Sequence, residues 1–265
     1  MADGKNQNKK IKPNFKFLNR IEVPGLEKVL DKHKASFSEE KINDFKSENV
    51  DNYYAALFGN DEVIFCSKLQ INGKDLWIPE PNPVHIYFYN AFRLVPKLLN
   101  SQKEFESMAD QLKGSSTINT YPYLLKFISN ASQFVFNAFS SIEAFINQCI
   151  PEEISYKSKK KGMMNKEDAE RNLYFKEKST RLMKSIYSKS ILEEEPKTFA
   201  EIWKLKELRD NLIHLKTKND KYRNKYREVM NVLLNFDYNN SITAVENYIN
   251  YFESKFIEHD EITDI

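Results

Sequence analysis

The chain has 265 residues, of which 40 are Lys or Arg and 38 are Asp or Glu, so its formal net charge is +2. Aromatic residues make up 13% of the sequence, which excludes a wholly disordered chain, because disorder goes with few aromatics and a strong net charge. Only 6 residues are glycine, and neither GxGxxG nor GxxxxGK[ST] occurs, so the standard glycine-rich nucleotide-binding loops are excluded.

The first 83 residues predict a short tail and a small appendage. Residues 1–13 are polar and basic, which is typical of a disordered tail rather than a secretory signal, so we expect a cytoplasmic protein. Within residues 14–83, Ser36 and Glu39 have the spacing of a capping box and predict a short helix. Asn72 and Gly73 lie between two apolar runs and predict a β-hairpin, because both central residues of such a turn need positive φ.

Residues 84–260 predict a mainly α fold, an up-and-down bundle of five to seven helices. Pro96 is expected to kink or break the first helical stretch, and Ser101 to begin a second piece. The longest apolar repeat predicts a central core helix over 121–149. A basic loop at 156–162 and helices over 166–190, 198–215, 220–236 and 242–257 complete the predicted bundle. The helix over 198–215 opens on a capping box at Thr198.

The composition favours neither a membrane span nor a metal site. The most hydrophobic stretch, 124–150, carries Lys126, Glu143 and several amide side chains, which would be costly in lipid, so we expect no membrane insertion. The four histidines share no metal-ligand spacing and the two cysteines cannot build a zinc ribbon. No Glu-x-x-His motif of a carboxylate-bridged metal bundle is present. We therefore expect no metal and no cofactor.

Charge is distributed unevenly along the chain. Residues 151–227 carry 21 basic and 13 acidic side chains, a net charge of +8, whereas residues 228–265 carry 1 and 8, a net charge of −7. A basic region of this kind favours a polyanion such as RNA, or is an ordinary solvated surface neutralised by the acidic C-terminal helix. The candidate RNA-binding side chains are Lys159, Lys160, Lys161, Lys204, Lys206 and Lys216.

Arg209 and His214 are the candidate catalytic residues, in the run Arg-Asp-Asn-Leu-Ile-His. Imidazole titrates near neutral pH and can accept or donate the proton of a 2′-hydroxyl or a leaving 5′-oxygen. The guanidinium fork can stabilise the extra negative charge on a phosphorane-like transition state. These two residue types together are suited to cleaving RNA without a metal.

The spacing of the two residues leaves a structural alternative open. Arg209 and His214 are five residues apart, or about 140° around a helix, so they do not share one face. Asp210 and His214 do share a face, and an Asp210–His214 pair with Arg209 on the surface would be purely structural. A catalytic site would instead need the long Arg209 side chain to wrap round the helix, or a second copy of the helix in an isologous dimer, in which two Arg and two His side chains line one cleft.

The pattern from Arg209 to His214, with the polar Asp210 directly after the arginine, resembles the motif of the HEPN superfamily of helical bundles. The preceding core-helix segment, 140–147, is similar to the helix that carries acidic and Asn residues in several such families. The order of a long core helix, an intervening helix, the motif helix and a closing helix also matches. The resemblance covers about residues 120 to 257 and leaves the first 83 residues unassigned.

The resemblance implies a metal-independent endoribonuclease that works as a homodimer through the motif helix. His214 would be the general acid and base, Arg209 would stabilise the phosphate, and Asp210 and Asn211 would orient that pair or touch RNA. The products would be a 2′,3′-cyclic phosphate and a 5′-hydroxyl. Such proteins often act as toxins with a partner antitoxin, or as phage-defence effectors with a sensor.

Two supporting residues are expected beside the motif helix. The resemblance implies that Glu143 and Asn147 support the site, although plain hydrogen bonding between packed helices would account for them equally well. The alternative function for the whole chain is a non-catalytic module that dimerises and binds RNA, a nucleotide or a partner protein. Only the enzyme requires Arg209 and His214 to open onto a cleft.

Overall fold

A computed structural model describes residues 53–58, 62–79, 82–111, 120–214 and 226–257. The chain forms two compact units, residues 1–82 and 83–265. The predicted tail at residues 1–13 and the predicted helix after Ser36 lie outside the described residues. The described part is mainly helical, which confirms the predicted fold class.

The first unit contains a three-stranded antiparallel sheet in the order β1-β2-β3. Its strands are β1 (Tyr53–Phe58), β2 (Glu62–Ile71) and β3 (Lys74–Pro79). Asn72 and Gly73 form the turn between β2 and β3 with φ of 51° and 74°, which confirms the predicted hairpin. Strand β1, which pairs with β2, is an addition that the sequence patterns did not predict.

The second unit is the helical bundle. Its first two helices are the longest, α1 (Pro83–Gln111) and α2 (Tyr121–Cys149). A small antiparallel hairpin follows, formed by β4 (Tyr156–Ser158) and β5 (Gly162–Met164). The later elements are α3 (Lys166–Asn172), α4 (Phe175–Glu177), a π-helical segment (Lys178–Leu182), α5 (Met183–Tyr187), α6 (Ile191–Glu194), α7 (Pro196–Ile213), α8 (Tyr226–Leu234) and α9 (Tyr238–Phe252).

Helix α2 forms the centre of the core, as its apolar repeat predicted. Helices α1, α7 and α9 all contact it. Complete burial of an aliphatic or aromatic side chain stabilises the fold by about 1.5–3 kcal/mol, so this one face contributes a large share of the hydrophobic stabilisation. The buried side chains on that face are Phe127, Ala131, Phe134, Val135, Ala138, Phe139, Ile142, Phe145 and Ile146.

Helix α1 corrects the prediction of a break at Pro96. The helix runs without interruption from Pro83 to Gln111 with Pro96 inside it. Pro96 is exposed, whereas Ala91, Val95 and Leu98 around it are buried against the core. Packing of this buried stripe on α2 outweighs the backbone hydrogen bond that the proline cannot donate.

Three further predicted elements differ from the structure. The basic loop at 156–162 is the β4–β5 hairpin, in which Gly162 has a φ of 83°. The helix predicted over 166–190 is interrupted between Asn172 and Phe175, where the buried Leu173 adopts an extended backbone. The motif helix α7 starts at Pro196 rather than Thr198, because proline suits the first turn of a helix, and ends at Ile213 rather than 215.

None of the helices within the described ranges is long and apolar enough to cross a membrane.

Candidate functional site

Arg209 lies near the C-terminal end of α7 and faces the core helix α2. Its guanidinium carbon lies 5.1 Å from the centre of the Phe139 ring. Nη2 lies 3.6 Å from Oε2 of Glu143, and Nη1 donates a hydrogen bond of 3.1 Å to Oδ1 of Asp210. One carboxylate on α2 and one on α7 therefore fix the half-buried guanidinium on an aromatic face.

Asp210 is held by two cations of its own helix. Besides Arg209, Nζ of Lys206 lies 2.7 Å from Oδ2 of Asp210. Partial burial would raise the pKa of Asp210, but the hydrogen bonds from Lys206 and Arg209 outweigh it and lower the pKa. The proposed structural pair of Asp210 with His214 is therefore wrong for the described structure, since the carboxylate turns toward Lys206 and Arg209.

His214 is the residue directly after the last turn of α7. Its backbone N–H donates to the carbonyl of Asp210 at 2.9 Å, which closes the final turn of the helix. The residue is exposed, and within the described ranges its imidazole makes no hydrogen bond or ion pair. An accessible imidazole therefore stands at the helix end, while Arg209 is held against α2.

Glu143 and Asn147 lie four residues apart on one face of α2. Glu143 contacts Arg209 of α7. Asn147 accepts a hydrogen bond of 3.2 Å from Nζ of Lys178, which also donates to the carbonyl of Glu170. The structure therefore brings Arg209, Asp210 and Glu143 into direct contact and joins Asn147 to the same region through Lys178.

Lys178 is the residue of this cluster that sequence reasoning missed. It is the first residue of the π-helical segment, and its partners Asn147 and Glu170 are 31 and 8 residues away. No local motif marks such a lysine, and a π-helical turn shifts the facing residues relative to an α-helix. π-helical turns frequently occur at functional sites, which makes the position of Lys178 informative. That position is visible only in the structure.

Burial disfavours the charged forms of Glu143 and Lys178 in this cluster. Burial raises the pKa of Glu143, although Arg209 and Lys178 act to lower it and Asp210 adds to the rise. Burial lowers the pKa of Lys178, although Glu143 and Glu170 act to raise it. With Lys206 included, the three cations of the cluster are balanced by three carboxylates, Glu143, Asp210 and Glu170.

The remaining predicted residues are more dispersed. Asn211 is exposed on α7. Lys204 pairs with Glu201 at 2.7 Å, and Lys206 lies 4.9 Å from the centre of the Trp203 ring in addition to its pair with Asp210. Lys216 lies outside the described residues. The turn of the β4–β5 hairpin contains three exposed lysines of the segment that was predicted as a basic loop, Lys159, Lys160 and Lys161.

The hairpin and the α2–α7 cluster are joined through one short helical segment. Oε1 of Glu177 accepts hydrogen bonds of 3.2 Å from the hydroxyl of Tyr156 and from the backbone N–H of Lys159. Burial and Glu177 raise the pKa of Tyr156 to about 12, so its hydroxyl remains a donor at neutral pH. The next residue is Lys178, which contacts Asn147. Adjacent residues therefore hold the basic hairpin and the candidate site.

Comparisons with protein-family models, with curated proteins and with solved structures find no match to this chain.

Proposed function

We propose that this protein is a metal-independent endoribonuclease of the HEPN type, as the resemblance of the Arg209–His214 motif implies. One observation carries the proposal more than any other: the guanidinium of Arg209 is fixed by Glu143 and Asp210, and an exposed His214 follows at the end of the same helix. A fixed phosphate-binding group and an accessible proton-transfer group are the two elements that metal-free cleavage of RNA requires.

In the proposed reaction, the imidazole of His214 accepts the proton of a 2′-hydroxyl, and the 2′-oxygen attacks the adjacent phosphorus. The bond from phosphorus to the 5′-oxygen breaks, and that oxygen takes up a proton from the imidazolium. Arg209 stabilises the added negative charge on the phosphoryl oxygens. The products are a 2′,3′-cyclic phosphate and a 5′-hydroxyl, so the bonds and protons balance.

The supporting residues have distinct proposed roles. Glu143 and Asp210 hold the guanidinium of Arg209 in place, and Asn211 touches the RNA from the exposed side of α7. Asn147 acts at a greater distance, through its hydrogen bond with Lys178. The exposed hairpin lysines attract the RNA backbone. We further propose a cytoplasmic homodimer formed through α7, controlled by an antitoxin or sensor and serving as a toxin or in phage defence.

The test is cleavage of mixed cellular RNA in the presence of EDTA. Wild type is compared with His214→Ala and Arg209→Ala, and with Arg93→Ala as a control for an exposed arginine on α1. General acid–base catalysis contributes about 10²–10⁴-fold, so His214→Ala should lower the rate by at least about 100-fold. Arg93→Ala should cleave like wild type. Circular dichroism establishes that every variant is folded.

The ends of the products decide between outcomes. Cyclic phosphate ends produced by wild type and Arg93→Ala alone would support both residue roles. Equal cleavage by all four proteins would contradict the assignment of Arg209 and His214. Absence of cleavage by every protein would contradict the nuclease itself.

A second function, a non-catalytic binding module, is favoured by one observation: both sides of the Arg209 guanidinium already contact carboxylates. In that case wild type binds RNA in EDTA without cutting it, and Arg209→Ala lowers the free energy of unfolding as its main effect. The cleavage assay above, combined with urea denaturation of Arg209→Ala, separates this module from the enzyme.

A further inference from the structure

The turn of the β4–β5 hairpin is an exposed, strongly basic element. From Tyr156 to Met164 the sequence contains four lysines and no acidic residue. The inner side of the hairpin is anchored, because Met164 is buried and Glu177 binds both Tyr156 and the backbone of Lys159. The turn therefore presents Lys159, Lys160 and Lys161 to solvent from a fixed base.

Tyr174 lies beside this turn with most of its surface open. It occupies the break between α3 and α4, where it has an extended backbone and is 64% exposed. Nζ of Lys161 lies 5.0 Å from the centre of its ring and also donates to the carbonyl of Asn172. Cation–π attraction holds the ammonium on the ring, so an aromatic surface and a positive charge are presented together.

The outer face of the hairpin adds an exposed apolar side chain. Met163 is 61% exposed and pairs across the strands with Lys157, on the face opposite to the buried Met164. Single exposed hydrophobic residues need no explanation by themselves. Here Met163, Tyr174 and the lysines occur on one hairpin and the break beside it, so exposed apolar side chains accompany the positive charges.

This combination fits a particular class of ligand. Proteins that bind single-stranded nucleic acids without sequence preference place aromatic side chains, on which bases stack, along a positively charged surface that follows the phosphates. A duplex hides the faces of its bases and would use only the lysines. The tyrosine is useful only to a strand whose bases are unpaired.

We propose that the β4–β5 hairpin and Tyr174 form a binding subsite for single-stranded RNA. A base stacks on the ring of Tyr174, which keeps its contact with Lys161, and Lys159 and Lys160 contact the phosphates on either side. That the strand is RNA rests on the proposed function. The hydrogen bonds of Glu177, next to Lys178, place this subsite one short segment away from the Arg209 cluster. It therefore delivers unpaired strands to the proposed catalytic residues.

The experiment measures binding with the full-length His214→Ala protein, which should not cut its ligand. The probe is a fluorescein-labelled RNA of about 12 nucleotides, a length within the range bound by known single-strand binding folds, used alone and as a duplex with its complement. Tyr174→Ala should weaken binding of the single strand by about ten-fold, and Tyr174→Phe should bind like the parent because it keeps the ring. Tyr121→Ala is the matched control, because Tyr121 is also an exposed tyrosine (58%). It lies at the first residue of α2, whereas the β4–β5 hairpin follows the last.

Two further results are expected from the same binding assay. The parent protein should bind the single strand more tightly than the duplex. Replacement of Lys159 and Lys160 by glutamine should weaken binding and reduce its salt dependence by about one counterion per lost phosphate contact.

Three results would overturn the subsite: equal affinity of Tyr174→Ala and the parent, equal losses in Tyr174→Ala and Tyr121→Ala, or absence of RNA binding. The cleavage and binding assays together distinguish failure of the subsite from failure of the proposed nuclease. If wild type does not cleave RNA but Tyr174→Ala selectively loses the single strand, the subsite stands and the enzyme assignment fails. If wild type cleaves RNA but Tyr174→Ala binds the single strand as tightly as the parent does, the enzyme assignment stands and the subsite fails.

Discussion

At the scale of single residues, Glu143 is the most informative group of the candidate site. It is a carboxylate facing Arg209 and Lys178, with Asp210 as its acidic neighbour, and yet burial raises its pKa above the ordinary value. Burial therefore outweighs the attraction of two cations. Such a balance is common at functional sites, where a ligand changes the charges that a buried group experiences.

The raised pKa predicts how stability depends on pH. Between the ordinary pKa of a glutamate and the raised pKa in the folded protein, the folded state binds more protons at Glu143 than the unfolded state does. The contribution of Glu143 to the free energy of unfolding therefore falls as pH rises through this window and is constant above it. Glu143→Gln, which cannot ionise, should lack that fall. Urea denaturation across a pH series gives the difference between variant and wild type, which should grow in favour of the variant through the window.

Lys178→Met provides a second check on the same balance. Since Lys178 lowers the pKa of Glu143, its removal should move the upper limit of the window to higher pH. Glu228→Gln, an exposed substitution on α8, is the control. A difference that grows in favour of wild type would show that the ion pair with Arg209 dominates burial, and a constant difference would show that the two effects cancel.

At the scale of elements, two helices begin at side-chain caps that the sequence patterns did not predict. The side chain of Asn165 accepts a 2.9 Å hydrogen bond from the backbone of Asp168 at the start of α3. Asp237 does the same for Asn240 at the start of α9, at 3.0 Å. By contrast, the expected capping box of Thr198 is absent, because Pro196 already occupies the first turn and Glu195 is the residue before it.

We expect Asn165→Ala and Asp237→Ala each to lower the free energy of unfolding by about 1 kcal/mol, the usual cost of losing such a cap. Ser190→Ala is the comparison, since Ser190 precedes α6 without making a side-chain cap bond. Chemical denaturation of the three variants measures the differences. A loss for Ser190→Ala as large as the other two would mean that the cap bonds are not the cause.

Local signals predicted those parts of the fold that depend on local chemistry. Asn72 and Gly73 specified a turn through their φ angles, and the apolar repeat of α2 specified its buried face. Pro96 misled the prediction, because the decisive energy is the packing of Val95 and Leu98, which involves residues distant in sequence. The interruption after Asn172 has the same origin, since Leu173 is buried in an extended conformation that no glycine or proline announces.

The candidate site shows the same limit. Lys206 and His214 lie four residues on either side of Asp210, so the sequence offered two partners of equal spacing. The helix ends at Ile213, and the carboxylate turns back to Lys206. Lys178 depends wholly on tertiary structure, because its contacts require the π-helical segment to lie against α2. The motif pointed to Arg209 and the family resemblance to Glu143, and only packing shows that they touch.

At the scale of the whole molecule, the directions of the side chains on α7 are the reason for proposing a dimer. Arg209 turns inward to Phe139 and Glu143, while His214 lies beyond the helix end and is exposed. On an ideal helix the two residues would be about 140° apart, which favours a site completed by two copies of α7. In an isologous pair, each arginine is brought to a histidine of the other copy.

Mixing two inactive variants tests this arrangement directly. Arg209→Ala and His214→Ala, carrying different affinity tags, are refolded together and the mixed dimer is isolated. If each site joins Arg209 of one copy to His214 of the other, the mixed dimer contains one intact site, so it should recover about half of the wild-type cleavage rate. Sedimentation velocity establishes that the mixed species forms, and each variant refolded alone is the control. A mixed dimer that stays inactive would place both residues of a site in the same copy, and a chain that sediments as a monomer at every concentration would contradict the dimer.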